Sequence, residues 1–325
     1  MQVINCLLVK TRPFYFSTLS FLILCCFACE TEETLSLSYS IVQSQQDFAI
    51  TKIHFFDGDN GVAMGGDNYQ FGIAQSTVDG GDTWTIDTVS QKIVRDFDVS
   101  NDSIFGVGID NYITRKQGAL AWEELRISDY SDSRGLLKTL DGYILVGGDA
   151  FQNGFLIILG NDLVVESMTE LEGEIFAIDQ SAENLMHIVG FGVIYRSTDK
   201  GQTWVVNKQI GDDYRDVFFI DEHTGWVVGQ AGSILQSNDG GLSWDTQRAP
   251  TVQNKLQFNA IHFANELDGM AVGNDGLVFL TKDGGENWLA LVDLPNEDFD
   301  SVFVGDDIAW LGSDQGHIIK VLLAQ

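Results

Sequence analysis

One eight-residue pattern, with a hydroxyl residue, an aspartate, a glycine and a tryptophan at fixed offsets, recurs four times and excludes most folds for this chain. The copies are Thr77–Trp84, Ser197–Trp204, Ser237–Trp244 and Thr281–Trp288, all fitting (S/T)-x-D-x-G-x-(T/S/N)-W. A degenerate fifth copy runs from Thr114 to Trp122, with Lys116 in the aspartate position and one extra residue. The tryptophans step by 38, 82, 40 and 44 residues, so the 82 marks two units, one without its signature. A fixed period of about 40 residues means a repeated supersecondary unit that buries its apolar faces against its neighbours.

Each box is preceded by an apolar strand, a short turn and a second strand ending in glycine. Asp216–Ile220 with Gly225–Gly229 is one such pair, and Ala260–Phe263 with Gly269–Gly273 is another. The same pair at Leu136-Leu137 with Tyr143–Gly147 supplies the unit that lacks a box, and Val302-Phe303 with Ile308–Gly312 supplies the last. This gives seven units, beginning near Lys52, Arg95, Arg134, Glu174, Arg215, Ala260 and Ser301. Four strands per unit predict an all-β fold, a seven-bladed β-propeller of antiparallel blades. The last unit stops after its third strand. The alternating stretch Leu35–Val42 has no unit of its own, so it is expected to pair as the outer strand of the seventh blade and close the ring.

The boxes fall between third and fourth strands. Asp79, Asp199, Asp239 and Asp283 can accept backbone N–H groups of their own turns. Trp84, Trp204, Trp244 and Trp288 open the outer strands and bury rings between blades. Their role is therefore read as structural, with no metal or cofactor implied.

The N-terminus predicts export. Lys10 and Arg12 precede an apolar run from Phe14 to Ala28, the length of a signal-peptide core. All four cysteines lie in the first 29 residues, so the body holds no disulfide. The segment resembles a bacterial lipoprotein signal, which implies a signal over 1–28, lipidation at Cys29 and a short acidic tether over 29–34 before a propeller over 35–325. The usual leucine three residues before the cysteine is Cys26 here. Such a protein sits in the outer membrane or on the cell surface, and cleavage without lipidation leaves it periplasmic or secreted. Without residues 1–28 the chain has 16 basic and 47 acidic side chains, a formal charge of −31. That charge repels nucleic acid and anionic headgroups, leaving a lipid anchor as the membrane contact, and suits a soluble monomer.

The strand–glycine–strand–box unit, repeated seven times behind an export signal, resembles the propellers related to photosystem II assembly and stability factors. The resemblance implies a non-catalytic binding or assembly scaffold on the outer side of a membrane.

Ligands of propellers gather at the channel mouth, where innermost strands begin. Aligning those strands on their first apolar residue places Thr51, Arg95, Arg134, Gly173, Arg215, Asn259 and Asp300 in one ring. Arg95, Arg134 and Arg215 are then candidates for binding a carboxylate or an acidic protein partner by forked hydrogen bonds. Lys52, Asp96, Glu174 and Asp216 follow, and strand alternation turns them to the opposite side. Tyr69 and Phe151, in the turns Asp67–Phe71 and Asp149–Asn153, lie on the arginine side as exposed aromatic candidates; both turns read as longer than their counterparts. The alternative is a sialidase-like glycosidase acting on acidic glycans, with Tyr214 and Glu174 as its reactive pair.

Overall fold

Runs such as Gly269–Gly273, apolar throughout, suit a strand covered on both faces, whereas Thr85–Ser90, mostly polar with only Ile86 and Val89 apolar, suits an edge. The computed structural model describes residues 33–42, 48–100, 103–127, 131–149, 151–207, 212–250 and 256–323. Within them these runs become the second and outer strands of blades. The segment 1–28 read as an export signal, and Cys29, lie outside the described residues.

Seven sheets form, five of them from four consecutive antiparallel strands and two that also take a strand from the N-terminal segment. The innermost strands are Ala49–Phe55, Val94–Ser100, Ser133–Lys138, Ile175–Ala182, Tyr214–Phe219, Phe258–Phe263 and Phe299–Val304, taken here as blades 1 to 7. Seven apolar clusters hold the ring, each spanning two adjacent blades. Between blades 6 and 7, for example, Met270, Val272 and Leu280 meet Phe299, Leu311 and Val321. Between blades 7 and 1, Trp310 and Ile318 meet Ile50, Ile53 and Phe55. No blade has a core of its own, so burial requires the closed ring.

Closure uses the N-terminal segment, and the division of labour is finer than the alternation suggests. Tyr39–Val42 pairs antiparallel with Ile318–Leu322 as the outer strand of blade 7. Thr34–Leu35 instead lies parallel to Leu289–Leu291, a fifth strand on blade 6. Leu35 and Leu37 pack on the apolar cluster between these two blades, which is why the segment divides there.

The four boxes share one geometry. In blade 1 the Asp79 carboxylate accepts Thr77 Oγ1 (2.8 Å), the Thr83 amide (2.9 Å) and Thr83 Oγ1 (2.6 Å). Gly80 and Gly81 both take positive φ, at 68° and 82°. A Cβ on Gly81 would lie 2.8 Å from Trp310 Nε1, so the turn needs glycine there for space as well as for backbone. The Gly80 N–H bonds Asp59 O of its own blade (2.8 Å), while its C=O accepts Trp310 Nε1 of blade 7 (3.2 Å). Gly284 repeats this with Leu267 O and Trp226 Nε1, and Gly240 with His223 O and His187 Nε2. At each of these interfaces a phenylalanine stacks on the donor ring and meets the box tryptophan edge-on: Phe55 on Trp310 (3.8 Å), Phe263 on Trp226 (3.5 Å) and Phe219 on His187 (3.9 Å). Blade 3 has no box, and its third and fourth strands join through a turn with Leu163 at φ 65°.

This arrangement separates two losses at the closing interface. Trp310→Phe keeps a ring on Phe55 but orphans the Gly80 carbonyl, and is expected to cost about 1–3 kcal/mol. Trp310→Ala also removes the stacked ring and is expected to cost about 3–5 kcal/mol. Chemical denaturation of the two variants checks the order and the gap.

Candidate functional site

Each innermost strand has one residue near its start where the ladder with its neighbour skips, and the strand of blade 4 skips again at Ser181. The residues skipped near the starts are Thr51, Arg95, Arg134, Phe176, Arg215, Asn259 and Asp300. A β-bulge adds an unpaired residue and re-aims its side chain. All seven line a central cavity of about 440 Å³.

The ring matches the sequence alignment in six blades and differs in blade 4, where Phe176 replaces Gly173. Ile175 pairs with Gly190 as Tyr214 pairs with Gly229, so Ile178, not Ile175, is the counterpart of Val217. Two extra apolar residues at the start of that strand shift an alignment based on the first apolar position. Gly173 lies in the preceding turn at φ 80°. Aligning on the glycine that ends each second strand would have found Phe176.

The bulge also breaks the expected alternation. Lys52, Asp96 and Asp216 line the same cavity as the bulged residues rather than facing away. Asp96 pairs with Lys52 and accepts the Leu136 amide of the next blade (2.7 Å). Asp98 accepts Lys138 N (2.7 Å), Asp179 accepts Phe219 N (2.6 Å) and Asp216 accepts Ile261 N (2.9 Å). The channel acids thus staple blade to blade. Glu174 stands apart from this set, because it precedes its strand and binds Arg134 Nη2 at 2.7 Å.

The arginines form a chain around the mouth. Arg95 Nε lies 3.5 Å and Arg134 Nε 3.2 Å from the shared Asp132 carboxylate. The guanidinium carbons of Arg134 and Arg215 stand 5.2 and 4.2 Å from the centre of the same ring, Phe176. Local acids therefore occupy Arg95 and Arg134. Arg215 donates to Gln230 and has no carboxylate within 4.0 Å among the described residues. Burial, and then the charge of Arg134, pull its pKa down. The Nε atoms of Arg95, Arg134 and Arg215 are buried without a hydrogen-bond partner. Arg215 is the cation of this mouth most available to a ligand.

Phe151 joins the network and Tyr69 does not. The Phe151 amide donates to Glu174 Oε2 (3.0 Å), and its ring, 59% exposed, lies 5.5 Å from Phe191. Tyr69, 71% exposed, has Lys92 Nζ over its ring at 5.0 Å instead. Their turns are no longer than the others. The extra length is in the strands, seven residues in Gly61–Asp67 and eight in Gly142–Asp149 against five in Gly225–Gly229. The glycosidase reading loses its nucleophile, since Tyr214 is buried in the apolar cluster between blades 4 and 5. Burial, with Asp212 and Asp213 nearby, pushes its pKa up to about 12. Among the described residues no group of three or more His, Cys, Asp or Glu could hold a metal. His54 and His262 sit at the other end of the channel against Phe303.

Residues 205–321 match the sequence family described as photosynthesis system II assembly factor YCF48. The structure of YCF48 bound to D1 peptide is similar at TM-score 0.68 and 16% identity, covering 90% of this chain and 99% of that one. The chain is a seven-bladed propeller whose fold is similar to that of YCF48. YCF48 from Cyanidioschyzon merolae superposes at TM-score 0.66 with 13% identity, over 87% of this chain and 98% of that one. The WD40 β-propeller domain of Doa1 does so at 0.66 and 12%, over 90% and 97%. At these identities the solved structures show the fold. No curated protein sequence matches the chain.

The mouth acids make stability depend on pH in a testable way. Burial, reinforced by Asp314 and Asp298, pushes Asp300 up to about 7, and burial does the same for Asp216. A raised carboxyl pKa gives stability that is complete below the unfolded value near 3.8 and is lost as pH rises through about 7. The protein should therefore gain stability from pH 8 to pH 5. Asp300→Asn should be more stable than the native chain at pH 8 and show a smaller gain. The box carboxylates act oppositely. Their hydroxyl and amide donors hold Asp79 and Asp239 at about 2, so their contribution is present above about 4 and lost as pH falls toward 2. Denaturant midpoints across pH 2–8 check both signs.

Proposed function

We propose that the protein is an exported, non-catalytic propeller that binds a protein or acidic ligand at its bulge-lined mouth and acts as an assembly scaffold in the cell envelope. The observation that carries this reading is the convergence of Arg134 and Arg215 on Phe176, with Arg95 linked through Asp132. A guanidinium held against a ring, with a donor unused, suits a carboxylate arriving on an extended chain. Phe151 and Phe191 at the same mouth offer apolar area for neighbouring side chains. The family match and the D1-peptide complex of YCF48 support peptide binding as the use of such a propeller. The apolar leader and Cys29 support export and lipid anchoring.

Affinity capture from solubilised envelope tests this reading. Arg215→Ala should weaken the captured partner by about tenfold or more, the worth of one charge-assisted contact. Arg95→Ala, whose cation already shares Asp132, should weaken it less. Equal capture by the native chain and by the folded triple variant Arg95→Ala/Arg134→Ala/Arg215→Ala would contradict it.

A further inference from the structure

The polarity of the strands fixes where the chain enters the propeller. Innermost strands carry the mouth residues at their starts, so they run from the mouth to the box face. Their following turns bond the boxes there, as Leu267 O does with the Gly284 amide (2.9 Å). Outer strands begin at the boxes and run back toward the mouth. Thr34–Leu35 is parallel to the outer strand Leu289–Leu291, in the register Thr34 to Ala290 and Leu35 to Leu291. Glu33 O accepts the Ala290 amide at 3.0 Å. The chain therefore enters at the box face, on the outer edge of blade 6.

From this we infer that the box-face rim of blades 6 and 7 is apposed to the membrane that carries the anchor, and that the arginine mouth opens away from it. The inference rests on the anchor at Cys29 proposed above. Four residue steps separate Cys29 from Glu33, a span of at most about 14 Å at full extension. The innermost strands alone rise about 20 Å along the channel. A tether that short, starting at the box face, cannot bring the mouth against the bilayer. The acids of the box turns face the headgroups in this pose, so the tether holds it rather than adhesion. The mouth stays open to a partner approaching from the aqueous side.

The body of the chain contains no cysteine, so single labels can be placed cleanly. Leu267→Cys marks the box face of blade 6 and Gln315→Cys the mouth face of blade 7; both positions are exposed. The full-length protein is anchored in its own membrane, labelled with a fluorophore and challenged with a nitroxide quencher on lipid headgroups. Quenching should be severalfold stronger at position 267 than at 315, and Cys29→Ser should release the protein to the soluble fraction. Release by Cys29→Ser together with equal or reversed quenching would overturn the orientation alone. Retention of Cys29→Ser in the membrane would overturn the anchor and the orientation with it.

Discussion

One box glycine bonds in two directions, through its N–H and through its C=O, and three of the seven blade interfaces depend on that. In blades 1, 5 and 6 its N–H holds the first turn of its own blade, and its C=O receives an aromatic N–H from the blade before. The aspartate closes the turn, the positive φ presents both the N–H and the C=O of the glycine, and the glycine that follows leaves room for the incoming ring. Because each blade's core is shared with a neighbour, these bonds align the surfaces that must be buried together. His187 fills the donor role at one interface. Burial holds its pKa at about 4, so it serves as a neutral donor at ordinary pH, as Trp226 and Trp310 do.

The channel follows from the same ring by a different device. Seven innermost strands converge at one end, and each carries a bulge at the same rung. The bulge turns two successive side chains toward the axis. The second of these, or a nearby acid, caps an amide of the next strand, as Asp96 and Asp216 do. The first is free of ladder duty and forms the mouth. That separation lets the mouth vary chemically, from Thr51 through Arg215 to Asp300, while the wall beneath it stays bonded. Function can therefore reside in bulged residues such as Arg215, while Thr51 and Asn259 also bond carbonyls of the next blade.

The fold was legible because its signals are periodic. Four boxes and seven strand–glycine–strand pairs fix the blade count, and the unpaired alternating segment points to closure. The site was less legible, because a bulge leaves no mark in a hydrophobic pattern. The alignment therefore missed Phe176, the ring on which two arginines meet, and turned Asp96 and Asp216 the wrong way. Asp132 and Gln230, which set the state of Arg95, Arg134 and Arg215, lie in turns where sequence alone gives no distance. The short stretch Thr34–Leu35 reads as part of one strand until the cluster between blades 6 and 7 is seen to claim it.

The central claim is that a partner engages the mouth lined by the bulged residues. A photo-crosslinking phenylalanine analogue at Phe191, beside Phe151, reads that surface, and one at Leu242, 65% exposed in a box turn, reads the opposite face. The account predicts that irradiation of intact cells gives a discrete crosslinked protein from position 191 and none from 242. A crosslink from 242 with none from 191 would place the partner on the box face and contradict it.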